Sequence, residues 1–126
     1  LPSTPPPVSA SSAPEFDAIA FQLAAALEQY DMDTARMIEA WPDLDRYREV
    51  SAQVDLIRMY SSSLPDARVQ WVELLIAHAE MVHLLWRGQY GGGRIDPEAL
   101  ESVRERHADC IAALRKRCLR IIGRPR

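Results

Sequence analysis

The chain has 126 residues, enough for one domain with one core, and its 48% hydrophobic and 26% charged residues are ordinary for a globular protein. A net charge of −3 argues against a generally nucleic-acid-binding surface. The most apolar stretch, Val69 to Trp86, is interrupted by Gln70, Glu73, His78, Glu80 and His83, which excludes a membrane span. The charge is unevenly placed. Arg104 to Arg126 holds eight basic residues against Glu105 and Asp109, so this end carries +6 and the rest carries −9. Such asymmetry predicts pairing of the basic end with an acidic face, or an acidic partner.

Residues 1–14 are rich in Pro, Ser, Thr and Ala without an apolar period, and read as a flexible leader. They lack the basic start and continuous apolar run of a secretory signal, so the expected location is cytoplasmic. A single domain is expected over 15–122, followed by a basic tail at 123–126.

Ser12-Ala13-Pro14-Glu15 has the form of a capping box and predicts a first helix running to about Tyr30. Phe16, Ala20, Leu23, Leu27 and Tyr30 share one face at 4-3-4-3 spacing. Asp31-Met32-Asp33 interrupts the pattern and predicts a turn, with Asp33 capping a short helix through Met37 and Ile38 to Trp41. Pro42 disfavours helical geometry at Trp41 and predicts a break there. Asp43 falls in the first turn of the next helix, where its charge suits the helix dipole. Leu44, Tyr47, Val50, Val54, Ile57 and Leu64 form that helix's core-facing stripe, which ends near Ser61 to Ser63.

Ser63-Leu64-Pro65-Asp66 marks another start, of a helix from about Pro65 to Arg87. Its apolar residues cover most of its circumference, so it is expected to be buried by neighbours or by a partner. Gly88-Gln89-Tyr90-Gly91-Gly92-Gly93 reads as a flexible loop. Asp96-Pro97-Glu98 supplies an N-cap, an N1 proline and a first-turn acid. The helix that follows carries Leu100, Val103, His107, Cys110, Leu114, Cys118 and Ile121 at 3-4 spacing and ends at Gly123. The expected fold is all-α, an antiparallel four-helix bundle, with the second helix kinked or preceded by a short one near Pro42.

Few residues stand in a pattern that carries chemistry. His78 and His83 are five residues apart, about 140° around a helix, and miss the i, i+4 spacing of a zinc pair. His107 lies on an apolar stripe and reads as a satisfied core or interface residue. Cys110 and Cys118 lie eight residues apart on one helix, about 12 Å along its axis. Bridged Cα atoms lie within about 7 Å, so both thiols are expected to be free. The glycine run lacks the Gly-Lys-Ser/Thr ending of a phosphate loop. No catalytic residue, metal ligand, cofactor or small-molecule substrate is expected, and the basic last helix lacks aromatics for stacking on bases.

The apolar third helix is the remaining signal. Trp71, Leu75, Val82 and Trp86, with Leu100 and Val103 of the last helix, are the candidate contacts for a protein partner or a second copy of the chain. Leu23 to Ala40, an amphipathic stretch with an acidic turn at Asp31-Met32-Asp33, together with the long helices around Leu64-Pro65, resembles the small bacterial export chaperones of type III secretion and flagellar systems, the FliT/FlgN type. The resemblance spans roughly residues 16–120. It implies a chaperone or adaptor that holds an export substrate on apolar helix faces, with the last helix as a gate. The alternatives are a histidine-phosphotransfer or sensor domain, with histidine as phosphoacceptor, and a homo-oligomeric helical protein. The phosphotransfer motif is out of step by one residue, because Arg87 and Gly88 arrive one place late after His83.

Overall fold

The computed structural model describes the backbone of residues 8–90, 92 and 94–124, and within these the side chains from residue 14 onward. Four helices follow one another: α1 (Val8–Glu39), α2 (Leu44–Ser62), α3 (Arg68–Tyr90) and α4 (Pro97–Ile122), with a single 3-10 turn at Pro65–Ala67 ahead of α3. Among the described residues there is no strand. Short connections make successive helices antiparallel. The fold is the all-α bundle expected. Residues 1–7, and the side chain of Ser12 on which the capping box depends, lie outside what is described.

The core follows the sequence stripes. Ala20, Leu23, Leu27, Tyr30 and Met37 of α1 meet Val50, Val54 and Ile57 of α2, and Leu74, Met81 and Leu85 of α3 meet Ile111, Leu114 and Cys118 of α4. Two stripe members depart from expectation. Phe16 sits at the end of the bundle beside a small cleft shared with Leu64, Pro65 and Ile121, and Leu44, the first residue of α2, is exposed.

The expected turn at Asp31-Met32-Asp33 does not form, and α1 continues unbroken to Glu39. No glycine or proline stands there, and Tyr30, Thr34 and Met37 carry the buried stripe straight through. Asp33 caps no helix. It accepts hydrogen bonds from Gln29 Nε2 at 2.9 Å and from Gln53 of α2, and these hold its carboxyl below the usual carboxylate range. The break at Trp41-Pro42 is real, and that peptide bond is cis. Asp43 is the N-cap of α2 itself, accepting from the backbone N–H groups of Asp45 and Arg46.

The segment Gly88-Gln89-Tyr90, expected in a loop, is the last turn of α3. Ile95 explains the glycine. A Cβ at Gly88 would lie 2.2 Å from the Ile95 side chain and 3.2 Å from its Cα, so the connection to α4 packs directly on the bare helix backbone. Gly92 has φ +124°, a conformation that side chains rarely adopt. Asp96 and Pro97 start α4 as expected, with Asp96 accepting from Glu98 N, and Gly123 ends it.

The basic end folds back on the acidic remainder. Arg106 pairs with Glu80 of α3, Arg115 with Glu28 of α1, and Arg124 with Asp66 of the 3-10 turn at 2.6 Å. These are half-exposed surface pairs, so they set charge register more than stability.

Candidate functional site

Three seams of the bundle, α1–α2, α1–α4 and α3–α4, are closely packed along their length, whereas α2 and α3 approach each other much less. The sequence accounts for this difference. α3 carries three apolar rows rather than one. Leu74, Ala77, Met81 and Leu85 are buried against the core. Val69, Val72 and Ile76 point away from it and are 63%, 45% and 54% exposed. Trp71, Leu75, Val82 and Trp86 form the row between these two and are half-buried. Of the two expectations for this helix, burial by neighbours or by a partner, neighbours within the chain account for only part of its apolar surface. With only α4 closely packed along it, a large part of its apolar surface stays accessible.

The intermediate row faces α2, because Trp86 meets Tyr47 of α2 edge to face, with ring centroids 5.5 Å apart. Trp41 joins them at 4.6 Å from Trp86 and 6.1 Å from Tyr47, and Tyr90 stacks on Trp86 at 5.5 Å. These four rings close one end of the α2–α3 seam, and Ser63, Leu64 and the 3-10 turn close the other. The indole N–H of Trp41 is buried without a hydrogen-bond acceptor among the described residues.

The six residues singled out from sequence do not form one patch. Trp71, Leu75, Val82 and Trp86 line the α3 side of the α2–α3 seam. Leu100 and Val103 lie at the start of α4, half-buried against the core. Leu100 also borders a shallow cleft with Pro97, Glu101 and Arg104.

One constellation was not visible in the sequence. The Tyr30 hydroxyl of α1 lies 2.6 Å from Nδ1 of His78 on α3 and 2.7 Å from Nε2 of His107 on α4. Tyr30 and His107 are buried, and His78 is partly so. Burial raises the phenol pKa well above its ordinary value and lowers that of His78. Burial, with the neighbouring His78 and Arg104 adding to it, brings His107 down to about 4. All three groups are thus held neutral. The arrangement ties three helices together through one oxygen atom, and it satisfies His107 inside the core as its position on the stripe suggested. His83, by contrast, is exposed.

Among the described residues no group of three or more His, Cys, Asp or Glu side chains is placed to hold a metal ion, and no helix is long and apolar enough to cross a membrane. Cys110 and Cys118 are free thiols on α4. Comparison with protein-family models, with curated proteins and with solved structures finds no match to this chain.

Proposed function

We propose that this chain is a non-enzymatic docking domain that receives one amphipathic helix of a partner protein in the open seam between α2 and α3. The observation that carries the reading is the half-buried row Trp71, Leu75, Val82 and Trp86, which faces the seam where α2 and α3 approach each other less closely than the other packed helix pairs. A helix laid into a groove between two helices buries anchors at i, i+3, i+4 and i+7 spacing, the mode for which such a row is suited. The tryptophans at its two ends are of the type that dominates binding energy. The first candidate for the partner class is an amphipathic segment of an export substrate, in keeping with the chaperone resemblance. Its gating helix would be α4, although α4 supplies Leu114 and Cys118 to the core and cannot swing away without opening it.

The test is capture from a native extract by the full chain and by Val82→Arg, with circular dichroism on both. Val82 is half-buried at the middle of the row, and an arginine there keeps its charged end in water while obstructing the seam. The expected result is a partner held by the parent chain and lost by the variant at equal helicity. Equal capture by both, or no capture by either, overturns the reading.

A further inference from the structure

The outward row of α3 is distinct from the seam and carries its own pattern. Val69, Val72, Ile76, Ala79 and His83 are all exposed and follow 3-4-3-4 spacing. They are the a and d positions of two heptads, with Val69, Ile76 and His83 at a and Val72 and Ala79 at d. The f positions of the same heptads are Leu74 and Met81, both buried in the bundle core, so the a/d row lies on the side opposite the core. A single polar residue at a, here His83, fixes register. The row spans about 21 Å, and the helix that bears it is already ordered by the bundle, so pairing requires no helix formation.

The charges flanking the row select both partner and direction. Arg68 occupies a g position and Glu73 the following e position, both are exposed, and neither has an ion-pair partner among the described residues. In a parallel pair, g of one helix meets the next e of the other. A second copy therefore brings its Glu73 to Arg68 and its Arg68 to Glu73. In an antiparallel pair e meets e, which sets Glu73 against Glu73 or Glu80 of the second copy. We infer that the outward face of α3 is a self-association surface, on which two copies of this chain pair through a parallel two-stranded coiled-coil contact centred on Ile76.

Sedimentation equilibrium of the full chain, up to millimolar concentration, tests this. The parent chain is expected to dimerise reversibly. Ile76→Glu, at an exposed site, should keep its helicity and weaken the dimer roughly tenfold or more. Arg68→Glu and Glu73→Arg should each weaken it, and the two together should restore it. A chain that stays monomeric throughout overturns the inference. So does a dimer indifferent to Ile76→Glu, or a charge-swapped double variant that pairs no better than the single ones. Trp71→Ala, on the seam row but at a c position away from the pairing face, should leave the dimer unchanged, which separates this surface from the docking seam.

Discussion

Tyr30 and His107, 77 positions apart in the chain, share a hydrogen bond of 2.7 Å in the middle of the bundle, and the same hydroxyl reaches His78 at 2.6 Å. A phenol has one proton to give. It donates to one imidazole and must accept an N–H from the other. If it donates to Nε2 of His107, that ring carries its proton on Nδ1, and His78 must donate from Nδ1. If it donates to Nδ1 of His78, both rings carry their protons on Nε2. The two histidines therefore share one tautomer whichever way the proton points. Long-range proton–nitrogen NMR at neutral pH should show two neutral rings of the same tautomer. Opposite tautomers would set two acceptors against one proton, or two N–H donors against an oxygen whose own proton points elsewhere, and either would contradict the arrangement.

Replacing Tyr30 by Phe removes the only oxygen in this trio and leaves two ring nitrogens without it. One buried polar group left without its partner costs about 1–3 kcal/mol, and the loss should appear as a lower urea midpoint with little change in m. A change within a few tenths of a kcal/mol would mean that water replaces the hydroxyl.

Acid should loosen the bundle through the same residues. The folded pKa of His107 is about 4, below the value near 6.5 of an unfolded chain. The unfolded state therefore binds the proton more readily, and stability falls as pH drops through this window. Burial pushes His78 in the same direction. The contribution is fully present above about pH 6.5 and is lost progressively towards about pH 4. Urea midpoints measured across this window should decline for the parent chain and decline less for His107→Gln. Parallel slopes for the two would assign the acid sensitivity elsewhere.

What sequence reading can reach is visible in these residues. Punctuation was legible wherever a single residue dictates backbone geometry or hydrogen bonding: Pro42 ends the first helical stretch, Asp96 and Pro97 open α4, and Gly123 closes it. Core stripes were legible because burial repeats with the helix period. The false break at Asp31–Asp33 came from reading acidic residues as local caps, when the bond from Gln53 that occupies Asp33 crosses from another helix. The Tyr30–His78–His107 trio was illegible for a related reason. Its members stand 48 and 77 residues apart, and spacing along the chain carries no information about meeting across three helices. On α3 the apolar character was plain, but its division into buried, seam-facing and outward rows depends on how closely each neighbour approaches.

Gly88 gives a direct test of the α3–α4 connection. Within a helix, Gly→Ala ordinarily stabilises by about 1 kcal/mol. Here the added methyl would meet Ile95 Cγ1 at 2.2 Å, with Ile95 Cα behind it at 3.2 Å, so the side chain and its backbone must both shift. Overpacking of this kind costs about 1–3 kcal/mol, which reverses the usual sign. Gly88→Ala should lower the thermal midpoint, and adding Ile95→Ala should recover part of the loss. A stabilised Gly88→Ala would show that the connection does not rest on the helix backbone.

The two thiols should be slow to react while the chain is folded. Burial pushes the Cys118 thiol up to about 11, and burial, with Glu73 and Asp109 nearby, raises Cys110 as well. The thiolate is the reacting form, and raising the pKa reduces its share at mildly alkaline pH. Cys118 is fully buried at the α3–α4 interface and Cys110 only partly, so access adds to the difference. Alkylation with iodoacetamide should label Cys110 slowly and Cys118 only as fast as the bundle opens, and both should react promptly in denaturant. Peptide mass spectrometry over a time course reads the two sites separately. Equal rates at both sites under native conditions would mean that α4 leaves the core readily, the motion a gating last helix would require.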